Sequence, residues 1–178
     1  QKLASASFLS AFNEHLPKDI RLLSLEECDR RFHARLNALS KTYQYCIDTS
    51  AYGNLFFRNT SHHIATQLDI ESMKRAASML TGTHDFKSFC SNKRMKKSSV
   101  RTIFDIRIEP DEPSQMLNLT FTGNGFLYNM VRILTGTLIE IGLGIRNAED
   151  IPAILEGCDR GLAGDTAPAK GVFLVEVR

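Results

Sequence analysis

The chain has 178 residues, of which 43% are hydrophobic and 24% are charged, and both values are typical of a globular domain. This composition excludes a disordered or fibrous chain and allows one sizeable core. Lysine and arginine total 22 against 20 aspartate and glutamate residues, a net charge of +2, so overall charge identifies no nucleic-acid partner. The apolar stretch 126–145 is interrupted by Asn129, Arg132 and Glu140, and it therefore predicts no membrane span.

Hydrophobic periodicity predicts four elements in the first half of the chain. Helical spacing predicts a helix over 7–16. Alternating apolar residues predict a short strand over 20–25 and a longer one over 34–48, or two strands that meet at residues 39 and 40. An amphipathic pattern predicts a helix over 70–80, with Asp69 near its start.

In the second half, the pattern predicts two strands joined by a turn, then two helices and a closing strand: 100–109, 116–122, 127–142, 149–155 and 172–177. In the strand 100–109, the alternating residues Val100, Thr102, Phe104, Ile106 and Ile108 are expected on one face, with Ile103 as an apolar exception on the other. Strands of period two and short hairpins indicate an α+β fold. We expect an antiparallel or mixed β-sheet with helices packed on one face.

Four cysteines occur without any CxxC pair, at positions 28, 46, 90 and 158. This spacing argues against a structural zinc site and against a disulfide framework. Reduced cysteines are typical of the cytoplasm, so we expect a cytoplasmic protein without a bound metal.

A basic cluster follows the predicted helix 70–80. Five of the nine residues from 93 to 101 are basic: Lys93, Arg94, Lys96, Lys97 and Arg101. Such a cluster can bind several phosphates in a salt-sensitive manner. A solvated loop without a ligand has the same composition, and these residues alone leave both interpretations open.

The predicted helix 127–142 carries polar residues on one narrow stripe, namely Asn129, Arg132, Gly136 and Glu140. The remaining positions are mostly apolar, as in a buried helix. Arg132 has no acidic residue three or four positions away, so a buried Arg132 needs a partner from elsewhere. Alternatively the stripe faces water and Arg132 extends its charge to solvent, which the residues alone favour.

Tyr43 and Tyr45 lie two residues apart and therefore share one face of the predicted strand, after the basic residue Lys41. An exposed tyrosine beside basic residues can stack on a nucleotide base. Taken alone, however, such a pair is more often part of a half-buried core.

Four segments in order resemble one family, the TruA-type tRNA pseudouridine synthases. They are Phe32-His-Ala-Arg35 with Ala38 and Lys41-Thr-Tyr-Gln-Tyr45, Gly82-Thr-His-Asp-Phe-Lys-Ser-Phe89, Gly125-Phe-Leu-Tyr-Asn-Met-Val-Arg132 with Gly136, and Ala163-Gly-Asp-Thr-Ala-Pro-Ala-Lys-Gly171. Asp165 departs from the pattern, because proline is more often expected there.

The resemblance implies an enzyme that isomerises uridine to pseudouridine in the anticodon stem-loop of tRNA, without a metal or organic cofactor. The family's nucleophilic aspartate lies in a Gly-Arg-Thr-Asp-Ala-Gly motif that this sequence lacks and that the family places upstream. The chain begins at Gln1 without an initiator methionine. We therefore expect 1–30 to be a remnant of an N-terminal catalytic domain and 31–178 to be the C-terminal synthase domain, a ferredoxin-like half.

The resemblance also assigns roles to individual residues. Tyr43 matches the tyrosine that stacks on the target uracil, where it can also help to remove the C5 proton, and Arg132 matches the basic residue that pairs with the nucleophilic aspartate. From charge, we expect RNA contacts at Arg35, at Lys41 and at the five basic residues between 93 and 101.

The family implies tRNA as the partner and a homodimer for the full-length enzyme, whereas the isolated segment is expected to be inactive. Two alternatives remain. The chain could be a non-catalytic RNA-binding α+β module, or a truncated domain that binds nothing by itself.

Overall fold

The computed structural model describes residues 5–92, 94 and 96–178. They divide into two compact units, one up to residue 37 and one over residues 38–178. The first unit contains helix α1 (Ser5–His15). The side chain of Asn13 forms two hydrogen bonds with the backbone of Leu22. Its Oδ1 accepts from the Leu22 nitrogen at 2.9 Å, and its Nδ2 donates to the Leu22 carbonyl oxygen at 3.0 Å. The predicted division into 1–30 and 31–178 stays a prediction.

The second unit contains these strands and helices in chain order: β1 (Lys41–Asp48), β2 (His62–His63), α2 (Ile70–Leu80), β3 (Gly82–Asp85), β4 (Val100–Asp111), β5 (Met116–Gly123), α3 (Met130–Gly142), α4 (Ile151–Gly157) and β6 (Val172–Val177). The sheet has the order β2-β1-β5-β4-β3, and β6 also pairs with β1. The β1–β2 pair is parallel, whereas the other pairs are antiparallel. The predicted α+β class with a mixed sheet is therefore confirmed.

One face of the sheet carries the core. Tyr45 and Ile47 of β1 lie opposite Leu119 and Leu117 of β5, and all four side chains are buried beneath α2 and α3. The opposite face is polar, and there the hydroxyl groups of Thr42 and Thr122 form a hydrogen bond of 3.1 Å. This separation follows from the period-two alternation of apolar and polar residues in β1 and β5.

Helix α2 agrees closely with its sequence pattern. Asp69 caps its first turn by accepting a hydrogen bond from the backbone nitrogen of Ser72 at 3.0 Å. The side chains buried against the sheet and α3 are Met73, Ala76, Ala77 and Leu80, and this spacing of three and four residues is the apolar stripe that predicted the helix.

One predicted strand in the first 40 residues is wrong, and another begins later than predicted. No described residue from 20 to 25 is in a strand, because Leu22 uses both its backbone groups on the side chain of Asn13. Residues 34–37 form a turn that the backbone nitrogen of Asn37 closes on His33, at 3.0 Å. The strand predicted over 34–48 therefore begins at Lys41.

The predicted alternation of β4 fails at a β-bulge. Ile103 lies opposite Gly123 and Asp105 lies opposite Thr122, so Phe104 has no partner of its own. The extra residue shifts the alternation by one position. Ile103 is therefore buried, although it was expected on the outer face, and Phe104 is exposed.

None of the described helices combines the length and the apolarity that crossing a membrane requires.

The burial pattern of β4 and β5 predicts very different costs for two phenylalanine truncations. Phe121 is completely buried, whereas Phe104 is 51% exposed. We expect Phe121→Ala to lower the free energy of unfolding by about 3–5 kcal/mol, as for other fully buried aromatic residues. Phe104→Ala, on the neighbouring strand, serves as the matched control and should cost less than about 1 kcal/mol. Urea denaturation measures both values, and equal losses would contradict the bulge.

Candidate functional site

The segment 163–171 lies along the polar stripe of α3, and we call it the docked segment. A Cβ atom added at Gly136 would overlap the backbone carbonyl of Asp165, and one added at Gly164 would lie 2.7 Å from the carboxylate of Glu140. Both glycines are thus required by the close approach of the segment to the helix. The expectation that this stripe faces water is wrong, because the docked segment covers it.

Hydrogen bonds fix the docked segment to the middle of α3. The hydroxyl of Thr137 accepts from the backbone nitrogen of Gly164 at 2.9 Å, and Glu140 Oε1 accepts from that of Asp165 at 2.8 Å. Glu140 Oε2 is held in turn by Arg146, at 3.1 Å. A proline at position 165, as more often expected in the resembling family, would lack the N–H that Glu140 binds. The bond to Glu140 therefore depends on a residue with a backbone N–H at position 165.

Arg132 lies in the first turn of α3 and reaches the middle of the docked segment. Its Nε donates to the carbonyl oxygen of Ala167 at 2.7 Å, and its Nη1 donates to Asn129 Oδ1 at 3.2 Å. The backbone nitrogen of Ala167 donates back to the Arg132 carbonyl at 3.1 Å. The half-buried guanidinium is therefore held by neutral oxygens.

Within the described part of the chain, no carboxylate lies in ion-pair distance of Arg132, and its Nη2 has no hydrogen-bond partner. Two fixed nitrogens orient a planar guanidinium, and the remaining N–H groups match the geometry of a carboxylate or phosphate. The arrangement can thus bind an anion.

Asn129 connects Arg132 to a second part of the chain. It precedes α3 in the left-handed conformation, with φ of 60°, which asparagine tolerates better than most residues. Its Oδ1 accepts from Arg132, while its Nδ2 donates to the hydroxyl of Ser91 at 3.3 Å. Ser91 also donates its backbone N–H to the carbonyl of Tyr128 at 3.2 Å. The start of the 91–99 segment, here called the basic loop, is therefore fixed beside the start of α3.

Tyr43 and Tyr45 share one face of β1 but have different surroundings. Tyr43 is half-buried, and its ring meets that of Phe126 edge to face, with centroids 5.2 Å apart. Phe126 lies just before α3, so Tyr43 is linked to the end of that helix which carries Arg132. Tyr43 and Arg132 are the two catalytic residues predicted from the sequence. They lie on the same side of the sheet, the side that the helices cover.

Tyr45 is fully buried, and its hydroxyl donates to the carbonyl of Pro168 at 2.8 Å. Burial raises the pKa of the Tyr45 phenol well above its usual value, although the charge of Arg132 opposes the rise. The hydroxyl therefore stays protonated and remains a donor. Sequence reasoning assigned no role to Tyr45 in holding the docked segment. The available signal was the density of small residues between 161 and 171, which indicates close packing.

The basic residues are spread over several places. Arg94, Lys96 and Lys97 are exposed in the basic loop, whereas Lys93 lies outside the described residues. Arg101 lies near the start of β4, and its Nη1 donates to the carbonyl oxygens of Ser98 and Val100, at 2.9 and 2.6 Å.

The other two basic candidates lie away from the loop in sequence. Lys41 is the half-exposed first residue of β1, and Arg35 lies in the first unit. Among the residues with described positions, no three His, Cys, Asp or Glu side chains form a potential metal site.

Comparison with known proteins places these features in one family. The sequence model described as tRNA pseudouridine synthase matches residues 76–178, a range that includes α3, Arg132 and the docked segment. The tRNA pseudouridine synthase A of Acetivibrio thermocellus is 46% identical over 170 residues, which cover 96% of this chain and 69% of that protein.

Two further relatives carry the same name. The protein of Brevibacillus brevis is 44% identical over 165 residues, covering 93% of this chain and 67% of its own length. The protein of Limosilactobacillus reuteri is 45% identical over 175 residues, covering 98% and 68%. The resemblance inferred from the four sequence segments is confirmed: the chain belongs to the tRNA pseudouridine synthase family, which is a family of isomerases.

Proposed function

We propose that this chain forms part of an enzyme that isomerises uridine to pseudouridine in the anticodon stem-loop of tRNA. The isomerisation replaces the bond from ribose C1′ to N1 of uracil by a bond to C5, so that C5 loses a proton and N1 gains one. The observation that carries the proposal is the Arg132 guanidinium, which is held by two neutral oxygens and leaves Nη2 without a described partner.

The Nη groups of Arg132 bind the nucleophilic aspartate in this proposal, and that aspartate lies outside the 178 residues. An arginine beside a carboxylate keeps it ionised and oriented, and an ionised carboxylate is what nucleophilic attack requires. The support is the ion-pair geometry: none of the described carboxylates occupies this position.

Tyr43 stacks on the target uracil after the nucleotide leaves the helix stack. Extruding a base costs a few kcal/mol, and stacking on an aromatic ring returns about 1–3 kcal/mol per base. The half-buried position of Tyr43 supports this role, because the contact with Phe126 holds the ring while part of it stays accessible.

Phosphates of the tRNA are contacted by Arg35, Lys41, Arg101 and the basic residues of the basic loop. The support is the exposure of Arg94, Lys96 and Lys97, together with the bonds between Ser91 and residues 128 and 129, which fix this loop beside the start of α3.

The proposed enzyme acts in the cytoplasm, in keeping with four free cysteines. It acts as a homodimer, which sedimentation of the full-length protein would test.

Arg132 and Tyr43 are expected to serve turnover more than binding. In the full-length enzyme, Arg132→Ala and Tyr43→Ala should each lower kcat by roughly 100-fold or more, as expected for loss of a group that acts on the reacting atoms. The Kd for tRNA should change by less than about threefold, since most binding energy comes from phosphate contacts. Tyr52→Ala is the matched control, because Tyr52 is 98% exposed. Near-normal rates in both variants would refute the assigned roles.

The position of the nucleophile gives a second prediction. The purified 178-residue chain should bind tRNA and form no pseudouridine, because a carboxylate nucleophile for Arg132 is missing. Quantifying pseudouridine in tRNA after incubation, beside the full-length enzyme as a positive control, measures this. Turnover by the isolated chain would place the nucleophile within the 178 residues.

The basic loop should contribute salt-dependent affinity. The double variant Lys96→Ala, Lys97→Ala in the full-length enzyme should weaken tRNA binding, and it should reduce the slope of log K against log salt by roughly 0.7–0.9 for each phosphate that is no longer bound. The matched control is Lys74→Ala, Arg75→Ala on α2, where Lys74 already pairs with Glu71 at 3.0 Å. An equal slope in both double variants would exclude phosphate contacts by Lys96 and Lys97.

A further inference from the structure

We propose that Tyr45 is a positioning residue for the isomerisation, which it supports by holding the docked segment in the place where the segment orients Arg132. The inference rests on the proposed function of Arg132. Tyr45 is fully buried, so it does not touch the substrate and acts only through the residues it holds.

The first step is the fit between Tyr45 and the docked segment. The Tyr45 hydroxyl donates to the Pro168 carbonyl at 2.8 Å. A Cβ atom added at Gly171 would lie 2.7 Å from Cζ of the same ring. The phenol therefore contacts the segment at its hydroxyl and along its ring edge, and the end of the segment is set by a side chain of the central strand β1.

The second step links that contact to Arg132. Ala167 and Pro168 present consecutive carbonyls to two donors, Arg132 Nε at 2.7 Å and the Tyr45 hydroxyl at 2.8 Å. The two carbonyls are joined through residue 168, where the proline ring fixes φ, so ψ of Pro168 is the one soft backbone angle between them. Moving the Pro168 carbonyl therefore moves the acceptor that orients the guanidinium.

The third step concerns what could replace the hydroxyl. Proline has no backbone N–H, so residue 168 offers only its carbonyl for anchoring. In the described structure Tyr45 is the donor that binds this carbonyl. The anchors at Gly164 and Asp165 lie on the far side of the segment from Pro168, along α3. Removal of the phenolic oxygen therefore leaves the Pro168 carbonyl without this donor, while the ring still fills its place in the core.

The test uses Tyr45→Phe in the full-length enzyme, assayed on tRNA. We expect kcat to fall by about 10- to 100-fold, the range for a misplaced catalytic group, while KM for tRNA stays within about twofold of the wild type, because phosphate contacts dominate affinity. The matched control is Ser88→Ala. It also removes a buried hydroxyl that donates to a carbonyl, here that of Ile154 at 2.6 Å. This acceptor belongs to α4 and not to the docked segment, so the variant should keep kcat.

A double-mutant cycle and an NMR measurement distinguish positioning from general destabilisation. In an Arg132→Ala background, Tyr45→Phe should have no further effect on kcat, because the group it positions is gone. The NMR signal of the Arg132 Nε–H group, identified by its absence in Arg132→Ala, should shift in Tyr45→Phe and not in Ser88→Ala.

An unchanged kcat in Tyr45→Phe, or an additive loss in the double variant, would overturn the inference, and so would an unshifted Nε–H signal. Failure of the proposed function has a different signature, because the wild-type enzyme itself would then form no pseudouridine in tRNA. The NMR comparison needs no turnover, and it tests the link from Tyr45 to Arg132 in either case.

Discussion

A guanidinium on an almost wholly buried helix must be given acceptors, and the docking of residues 163–171 on α3 meets this requirement. Arg132 receives its acceptors from the Ala167 carbonyl and from Asn129. The carbonyl can reach it only because Gly136 lets the two backbones approach without an intervening Cβ. Leaving a buried charge without partners is destabilising, so the absence of a side chain at Gly136 serves the charge of Arg132.

The central strand of the sheet supports this arrangement with two tyrosines that have different tasks. Tyr45 points into the covered core and bonds the docked segment, whereas Tyr43, two residues earlier on the same face, keeps part of its ring accessible beside Phe126. From their spacing alone, the two tyrosines are expected to have the same environment on this face of the strand. The difference comes from the chain that lies above each ring, which folds back from a distant part of the sequence.

The sequence predicted the elements whose signals are local. The helix 70–80 and the closing strand 172–177 match the structure. The capping Asp69 and an apolar stripe specify the helix, and a run of β-branched and aromatic residues specifies the strand. The strand over 20–25 failed because the side chain of Asn13 competes for the backbone of Leu22, which apolar alternation does not reveal. The prediction of which β4 side chains share a face was wrong at Phe104. A bulge there shifts the alternation, and a bulge arises from pairing with the partner strand, which the β4 sequence alone does not show.

The candidate site could be predicted only in part for the same reason. Arg132 was identifiable as a charge without a nearby acid, and the family resemblance added its role and that of Tyr43. The contact between Tyr45 and Pro168 joins residues 123 positions apart, and no periodicity or spacing in either segment encodes it. The covering of the α3 stripe is likewise a tertiary effect, so the local pattern favoured the wrong environment.

The left-handed Asn129 has a consequence for how the molecule can move. One side-chain amide binds Arg132 through its oxygen and Ser91 through its nitrogen, and a second bond joins Ser91 to Tyr128. The basic loop is thus attached at its first residue to the amide that orients the guanidinium. Hinge motion of this loop about residue 91 must either preserve both bonds or disturb Arg132 at the same time, so loop movement and guanidinium orientation are mechanically linked.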